Sequence, residues 1–203
     1  MQSMQDFFRP VDPFSLQPAW AVKKFATQYA VLALRPVYIP DDLMLLQRWI
    51  HANAGNINTL PPAAVARLLA HYKNILDSAS GQSLILLADN KPVCQFDLQH
   101  VEDSGLYRVL PTRANDSVLY CLIPDGSLQN KIWITGLKLL LDLFFSLLDA
   151  GNVFIPAPRY PGFFVEDLQE MGFKPVEGYE YPDSGTFLLY TGKGFNRLPS
   201  KGK

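Results

Sequence analysis

Apolar residues recur at three- and four-residue spacing in four stretches of the chain, and short apolar runs bounded by turn-forming residues separate them. Residues 30–37 form the first such run and read as a strand. Pro40, Asp41 and Asp42 then offer a helix start ahead of Leu43, Leu46 and Ile50. A second helix follows the Pro61-Pro62 entry, with Val65, Leu68, Leu69, Tyr72 and Ile75 or Leu76 along one face. Residues 83–88 and 92–101 are β-like runs around Asp89-Asn90-Lys91, which predicts an antiparallel hairpin. A further core strand is expected over 118–123, ahead of Pro124-Asp125-Gly126.

From 131 to 148 the polar positions Lys131, Thr135, Lys138, Asp142 and Ser146 leave most of the circumference apolar, the pattern of a deeply buried helix. Gly151 stops it, and 153–155 resumes a strand. Phe163, Phe164, Leu168 and Met171 mark a short helix that ends at Gly172. Strands over 179–181 and 186–191 complete an order β-α-α-β-β-β-α-β-α-β-β. Pro10, Pro13 and Pro18 make residues 1–29 an extended arm laid on a domain of residues 30–195, with 196–203 as a tail.

Composition narrows the function. With 203 residues, 48% of them hydrophobic, the chain suffices for one folding unit with its own core. Eighteen basic against 19 acidic residues give a net charge of −1, which supplies no cationic face for nucleic acid. Cys94, Cys121 and three scattered histidines have no metal-ligand spacing, so no metal is expected. The greasiest window, 137–148, is too short to span a membrane and carries Lys138 and Asp142. The first residues lack the basic start and apolar stretch of a signal peptide, so a cytoplasmic location is expected.

Candidate chemistry concentrates where the strand at 118–123 runs through a Gly-containing loop into the long helix. Unpaired amides and a partial positive charge meet at such a helix head and can hold a pyrophosphate, although an ordinary strand-to-helix turn has the same spacing. Element order sharpens the choice. It resembles the acyl-CoA-dependent N-acyltransferases of the GNAT superfamily, which implies an α+β fold with a mixed, mostly antiparallel twisted sheet flanked by helices. The likeness extends to the siderophore-biosynthesis branch, through Leu34-Arg35-Pro36, Asp41-Asp42-Leu43-Met44-Leu45-Leu46-Gln47-Arg48-Trp49-Ile50, Leu119-Tyr120-Cys121-Leu122-Ile123, and Leu168-Gln169-Glu170-Met171-Gly172-Phe173 with Tyr181-Pro182 beyond. It covers residues 30–195.

That resemblance implies transfer of an acetyl or similar acyl group from acyl-CoA to an amine or hydroxylamine of a small molecule, a hydroxamate-siderophore precursor being one candidate. Acyl-CoA serves as co-substrate. It places the pantetheine and the thioester carbonyl along Leu122 and Ile123, and the pyrophosphate on Gly126, Ser127, Leu128, Gln129, Asn130 and Lys131. Asp97 becomes the base facing the acceptor amine, Tyr120 a phenol at the reacting centre, and Asp183 a group that orients the amine. The cofactor is expected in a V between the strands around Gln95-Leu98 and Leu119-Ile123. Each residue also has a plainer reading: Asp97 as a hydrogen-bonded strand carboxylate, Tyr120 as a core aromatic, Asp183 as part of an Asp-Ser-Gly turn.

Tyr120 stands where the siderophore branch commonly carries a histidine, and the 126–131 loop keeps one glycine in place of the superfamily's spaced glycines. These departures define two rivals: a GNAT-shaped protein without turnover that binds acyl-CoA or a protein partner, and a protein N-acyltransferase. His100 lies three residues from Asp97, which on a strand means the opposite face. His51 and His71 read as surface residues of helices, Cys121 as a small core hydrophobe, and Trp133, Phe144 and Phe145 as packing.

Overall fold

Asp89 and Asn90 take left-handed φ angles of 47° and 65° in the computed structural model, the primed turn that matches strand twist and that Asp and Asn tolerate best. The turn joins β3 (Gly81–Ala88) to β4 (Lys91–His100), the hairpin expected from the sequence, with a register shift at Leu86/Leu87. The structure describes residues 3–24, 31–53, 62–104, 106–108, 112–124, 131–147, 149–156, 162–176 and 188–191.

Around the hairpin the chain builds α1 (Met4–Phe7), β1 (Ala21–Lys24), β2 (Val31–Pro36), α2 (Ile39–Asn53) and α3 (Pro62–Asp77) before it, and β5 (Ser117–Leu122), α4 (Ile132–Phe145), β6 (Val153–Pro156), α5 (Gly162–Glu170), β7 (Lys174–Pro175) and β8 (Leu188–Thr191) after it. The strands form one sheet in the order β1-β2-β3-β4-β5-β6-β8-β7. Every pairing is antiparallel except β5 with β6. The mixed, mostly antiparallel sheet flanked by helices is the fold class expected from the resemblance described above. The strand expected over 179–181 lies outside the described residues.

Residues before 30 are more regular than their prolines predict. Ser3 and Asp6 close a capping box on α1, and Phe7 and Phe8 are buried in the core. β1 adds an edge strand to β2. Irregular spacing hides both, because one helical turn and a four-residue strand are too short to show a period.

Alternation along β3 and β4 splits the interior in two. One face carries Leu84, Leu86, Cys94, Phe96 and Leu98 and packs on the apolar flank of α4, where Trp133, Leu137, Leu140 and Phe144 are fully buried. The other carries Ile85 and packs with Leu46, Trp49, Tyr72 and Leu76 of α2 and α3. Gly136 lets α4 approach the sheet: a Cβ there would stand 2.1 Å from Cδ2 of Leu86. The entry to α2 is pinned by Arg35, whose guanidinium forks onto both oxygens of the buried Asp42 at 2.6 and 2.8 Å while the Tyr38 amide donates to the same carboxylate.

A second buried carboxylate ties β5 to β6. Asp116 is 1% exposed and accepts from the Arg113 amide at 2.9 Å and the Asn152 amide at 2.7 Å. The Gly151 amide donates to the Asn115 carbonyl, and the Ser117 amide to that of Asn152. A Cβ on Gly151 would stand 2.4 Å from the Asn115 carbonyl oxygen, so backbone, which cannot swing aside, requires glycine here. Replacing Asp116→Ala strips two buried amides of a charged acceptor and is expected to cost roughly 2–4 kcal/mol in urea unfolding. Gly151→Ala should also destabilise, in contrast to the usual benefit of removing a glycine. A Gly151→Ala protein as stable as the parent would show that this approach is looser than drawn.

Candidate active site

β4 and β5 pair without interruption from Gln95–Leu122 to His100–Ser117, so the V expected between them is closed. A continuous antiparallel ladder satisfies both strands there. The opening lies one strand further along. The parallel ladder of β5 with β6 has two residue pairs, Ser117–Val153 and Val118–Phe154, and ends there while the β4 ladder continues through Leu122. β6 is four residues long, closes with Pro156 and gives its other edge to β8.

Asp97 and Tyr120 are directly opposite one another in the β4–β5 ladder, so two of the three proposed catalytic side chains share the sheet face toward α2 and α3. Asp97 is 7% exposed, and its environment is specific. The Gln95 side-chain amide, itself buried, donates to Asp97 Oδ1 and also to Ser83 Oγ at 2.9 Å on β3. On the other carboxylate oxygen, Oδ2, sits Nε2 of His71 at 3.5 Å, reaching down from α3. The carboxylate holds the imidazole pKa above its ordinary value, first through the hydrogen bond and then through its charge, against the opposing effect of burial. Beside His71, the phenol of Tyr72 is pushed up by burial and then by the charges of Asp97 and Asp42.

His71 is the residue that sequence reasoning missed. It adjoins Tyr72 on the edge of the apolar stripe of α3, and half its side chain is solvent-exposed, which is how a surface histidine reads. The available signal was Asp97, a carboxylate in a strand covered on both faces, which needs a donor from the covering helix. His100, by contrast, faces the opposite side, with the Phe8 ring 4.4 Å away, and burial lowers its pKa. Cys94 is buried and its thiol pushed up by that burial, while Cys121 packs half-buried against the α4-side core.

At the far end of β5, Leu122 is the last strand residue and Ile123 is 4% exposed. Lys131 is the N-cap of α4 with a left-handed φ of 53°. Its ammonium binds Asp167 of α5 at 2.6 Å, which raises its pKa, and most of the side chain remains exposed. Gly126, Ser127, Leu128, Gln129, Asn130 and Asp183 lie outside the described residues. Trp133 is fully buried and stacked on Phe164 at 4.5 Å, and Phe144 and Phe145 are core, as packing predicts. Among the described residues no helix is long and apolar enough to cross a membrane, and no cluster of three or more potential metal ligands occurs.

No protein-family model matches the chain, and no curated protein matches it significantly in sequence. Solved structures do. An uncharacterized protein from Bacillus halodurans superposes with a TM-score of 0.68 at 18% identity, over 84% of this chain and 92% of that one. The aminoglycoside acetyltransferase AAC(6')-Ib in complex with coenzyme A gives a TM-score of 0.65 at 16% identity, covering 80% of this chain and 95% of its own. The spermidine/spermine N-acetyltransferase SpeG from Vibrio cholerae gives 0.60 at 14% identity, covering 80% and 94%. At such identities the likeness is one of architecture: the chain has the fold of the GNAT-type acetyltransferases, with the sheet parted between β5 and β6.

Proposed function

We propose that the chain is an acyl-CoA-dependent N-acyltransferase that transfers an acetyl or similar acyl group to the amine of a small molecule. The observation that carries this reading is the two-pair β5–β6 ladder. A β-strand edge that loses its neighbour can take a ligand as an extra strand, and the amide-rich pantetheine arm of CoA suits that place. The acyl end then lies in the opening beyond the last pair, Val118–Phe154. Strand geometry of about 3.3 Å per residue puts Tyr120, with Asp97 across from it, roughly 7 Å further along. The acceptor amine would meet the thioester there, with the Leu122 and Ile123 backbone alongside the pantetheine.

The pyrophosphate is assigned to the head of α4, where the largely exposed side chain of Lys131, its ammonium paired with Asp167, stands at the helix N-terminus, with Gly126, Ser127, Leu128, Gln129 and Asn130 completing the cradle. Asp97 supplies negative charge that attracts and orients an ammonium, Tyr120 offers a phenolic proton to the leaving thiolate, and Asp183 is assigned to the far side of the acceptor. A hydroxylamine on a hydroxamate-siderophore precursor is the narrower substrate that the resemblance described above supports. SpeG is named for spermidine and spermine, and a crystal form of AAC(6')-Ib contains kanamycin, so both relatives in fold are associated with small polyamines or amino-sugars. A cytoplasmic location suits a reaction that draws on free acyl-CoA.

Calorimetry should detect acetyl-CoA binding to the wild-type protein, and an amine should then stimulate thiol release. Asp97→Asn is expected to lower turnover at least 10-fold while CoA affinity stays within about 2-fold, because the carboxylate faces the acceptor. Equal loss of both would remove Asp97 from the reaction, and CoA binding without turnover on any amine would favour the binding-only rival.

The pH response has a definite sign. The folded-state pKa of His71 is raised, so the stabilisation from its pairing with Asp97 is fully present below the ordinary imidazole value near 6.5 and is lost as pH rises through the higher folded value. Nuclear magnetic resonance titration should therefore show His71 above about 6.5 in the wild type and lower in Asp97→Asn. An unchanged His71 titration in that variant would break the pair.

A further inference from the structure

A cavity of about 290 Å³ opens between α3 and the ends of β3 and β4, and His71 forms part of its wall. Asn74, Ser78, Ser80, Gln99 and Asp103 supply polar groups around it. Among the described residues the lining contains a carboxylate and no lysine or arginine. Its floor residue Gln99 is paired with Val118, the β5 residue at which the β6 ladder ends. The cavity therefore meets β4 on the sheet face that bears Asp97 and Tyr120, one strand from β5. His71 lines the cavity with half its side chain exposed and stands 3.5 Å from the carboxylate.

We infer that this cavity admits the acceptor amine and that His71, backed by Asp97, takes the proton that the amine must lose before it attacks. The inference rests on the acyltransferase reading above and assigns a residue and an entry route to it. With its proton on Nε2, a neutral imidazole donates to Asp97 and keeps a lone pair on Nδ1. That lone pair accepts a proton from the acceptor ammonium. The freed nitrogen pair attacks the thioester carbonyl, forming the C–N bond, and the C–S bond then breaks with its electron pair leaving on sulfur. The Tyr120 phenol gives its proton to the thiolate and takes the second proton of the attacking nitrogen in its place, giving free thiol and amide, while His71 returns its proton to solvent through the cavity. Asp97 stays ionised throughout and stabilises the imidazolium. Gln95 fixes the other carboxylate oxygen and holds Asp97 toward the ring.

Among the described residues, the titratable groups placed at the ring are Asp97 on β4 and Tyr72 beside it on α3, with Asp103 elsewhere in the cavity wall. Asp97 favours the protonated ring, and Tyr72 stays neutral because burial pushes its phenol up. A cavity of this size, at the lower end of ordinary ligand pockets, suits a short aliphatic amine better than an oligosaccharide.

The test pairs two acceptors with acetyl-CoA: a primary alkylamine, protonated near neutrality, and O-methylhydroxylamine, already neutral there. His71→Gln should lower kcat/KM for the alkylamine by about 100-fold or more and abolish the rise of activity with pH, while the O-methylhydroxylamine rate falls by less than about 10-fold. Imidazole added to the buffer should restore part of the alkylamine rate. Equal losses with both acceptors, or a pH profile in His71→Gln that matches the wild type, would overturn the role of His71. Calorimetry on the same variant separates the two levels. Acetyl-CoA bound by wild type and variant alike, with alkylamine turnover unaffected, removes the dyad and leaves the acyltransferase reading standing. No binding by either protein removes that reading and the dyad with it.

Discussion

Two residue pairs hold β5 to β6, and the whole site depends on their being only two. A longer parallel ladder would seal the sheet, and a missing one would leave a strand edge with no fixed opening. Asp116 sets the number at one end by tying the Arg113 and Asn152 amides together, and Gly151 lets the two chain segments approach closely enough for that. The brevity of β6, which ends at Pro156 and is engaged by β8 on its other edge, sets it at the other. Buried charge that satisfies backbone donors thus fixes where β5 and β6 stay paired.

The second organising principle is compensation of charge within the sheet. Asp42 and Asp97 are both buried, yet they are treated differently. Asp42 is matched by a two-pronged guanidinium and a backbone amide, which leaves it inert. Asp97 receives a neutral amide and a half-exposed imidazole at 3.5 Å, a partner whose charge changes near neutral pH. The first arrangement locks a strand to a helix. The second leaves a proton that can move.

Much of the architecture is legible in the residue pattern because long helices and the β3–β4 hairpin carry strong periods and turn chemistry. Asp89-Asn90 predicts its own backbone conformation, and the polar positions of 131–148 mark the single exposed flank of α4. Asp97 and Tyr120 are singled out through resemblance, and the register places them directly opposite one another. The position of the opening is not legible, since the pattern of alternation says which face a residue takes and not which pair of strands separates. His71 escapes for a related reason: its partner is 26 residues away, and only the packing angle of α3 on the sheet brings them together. The Asp116 clasp likewise joins positions 36 residues apart, with no local motif to announce it.

Trp133 lies in the first turn of α4, fully enclosed, its ring nearly parallel to that of Phe164 and its indole N–H without a hydrogen-bond acceptor among the described residues. An indole so isolated from water emits at short wavelength, whereas Trp20 is only partly buried and Trp49, though in the core, is 8% exposed. The protein therefore carries an intrinsic optical gauge at the junction between the cleft strand and its helix. Any molecule that strains that junction would register as a red shift in emission, with no label attached.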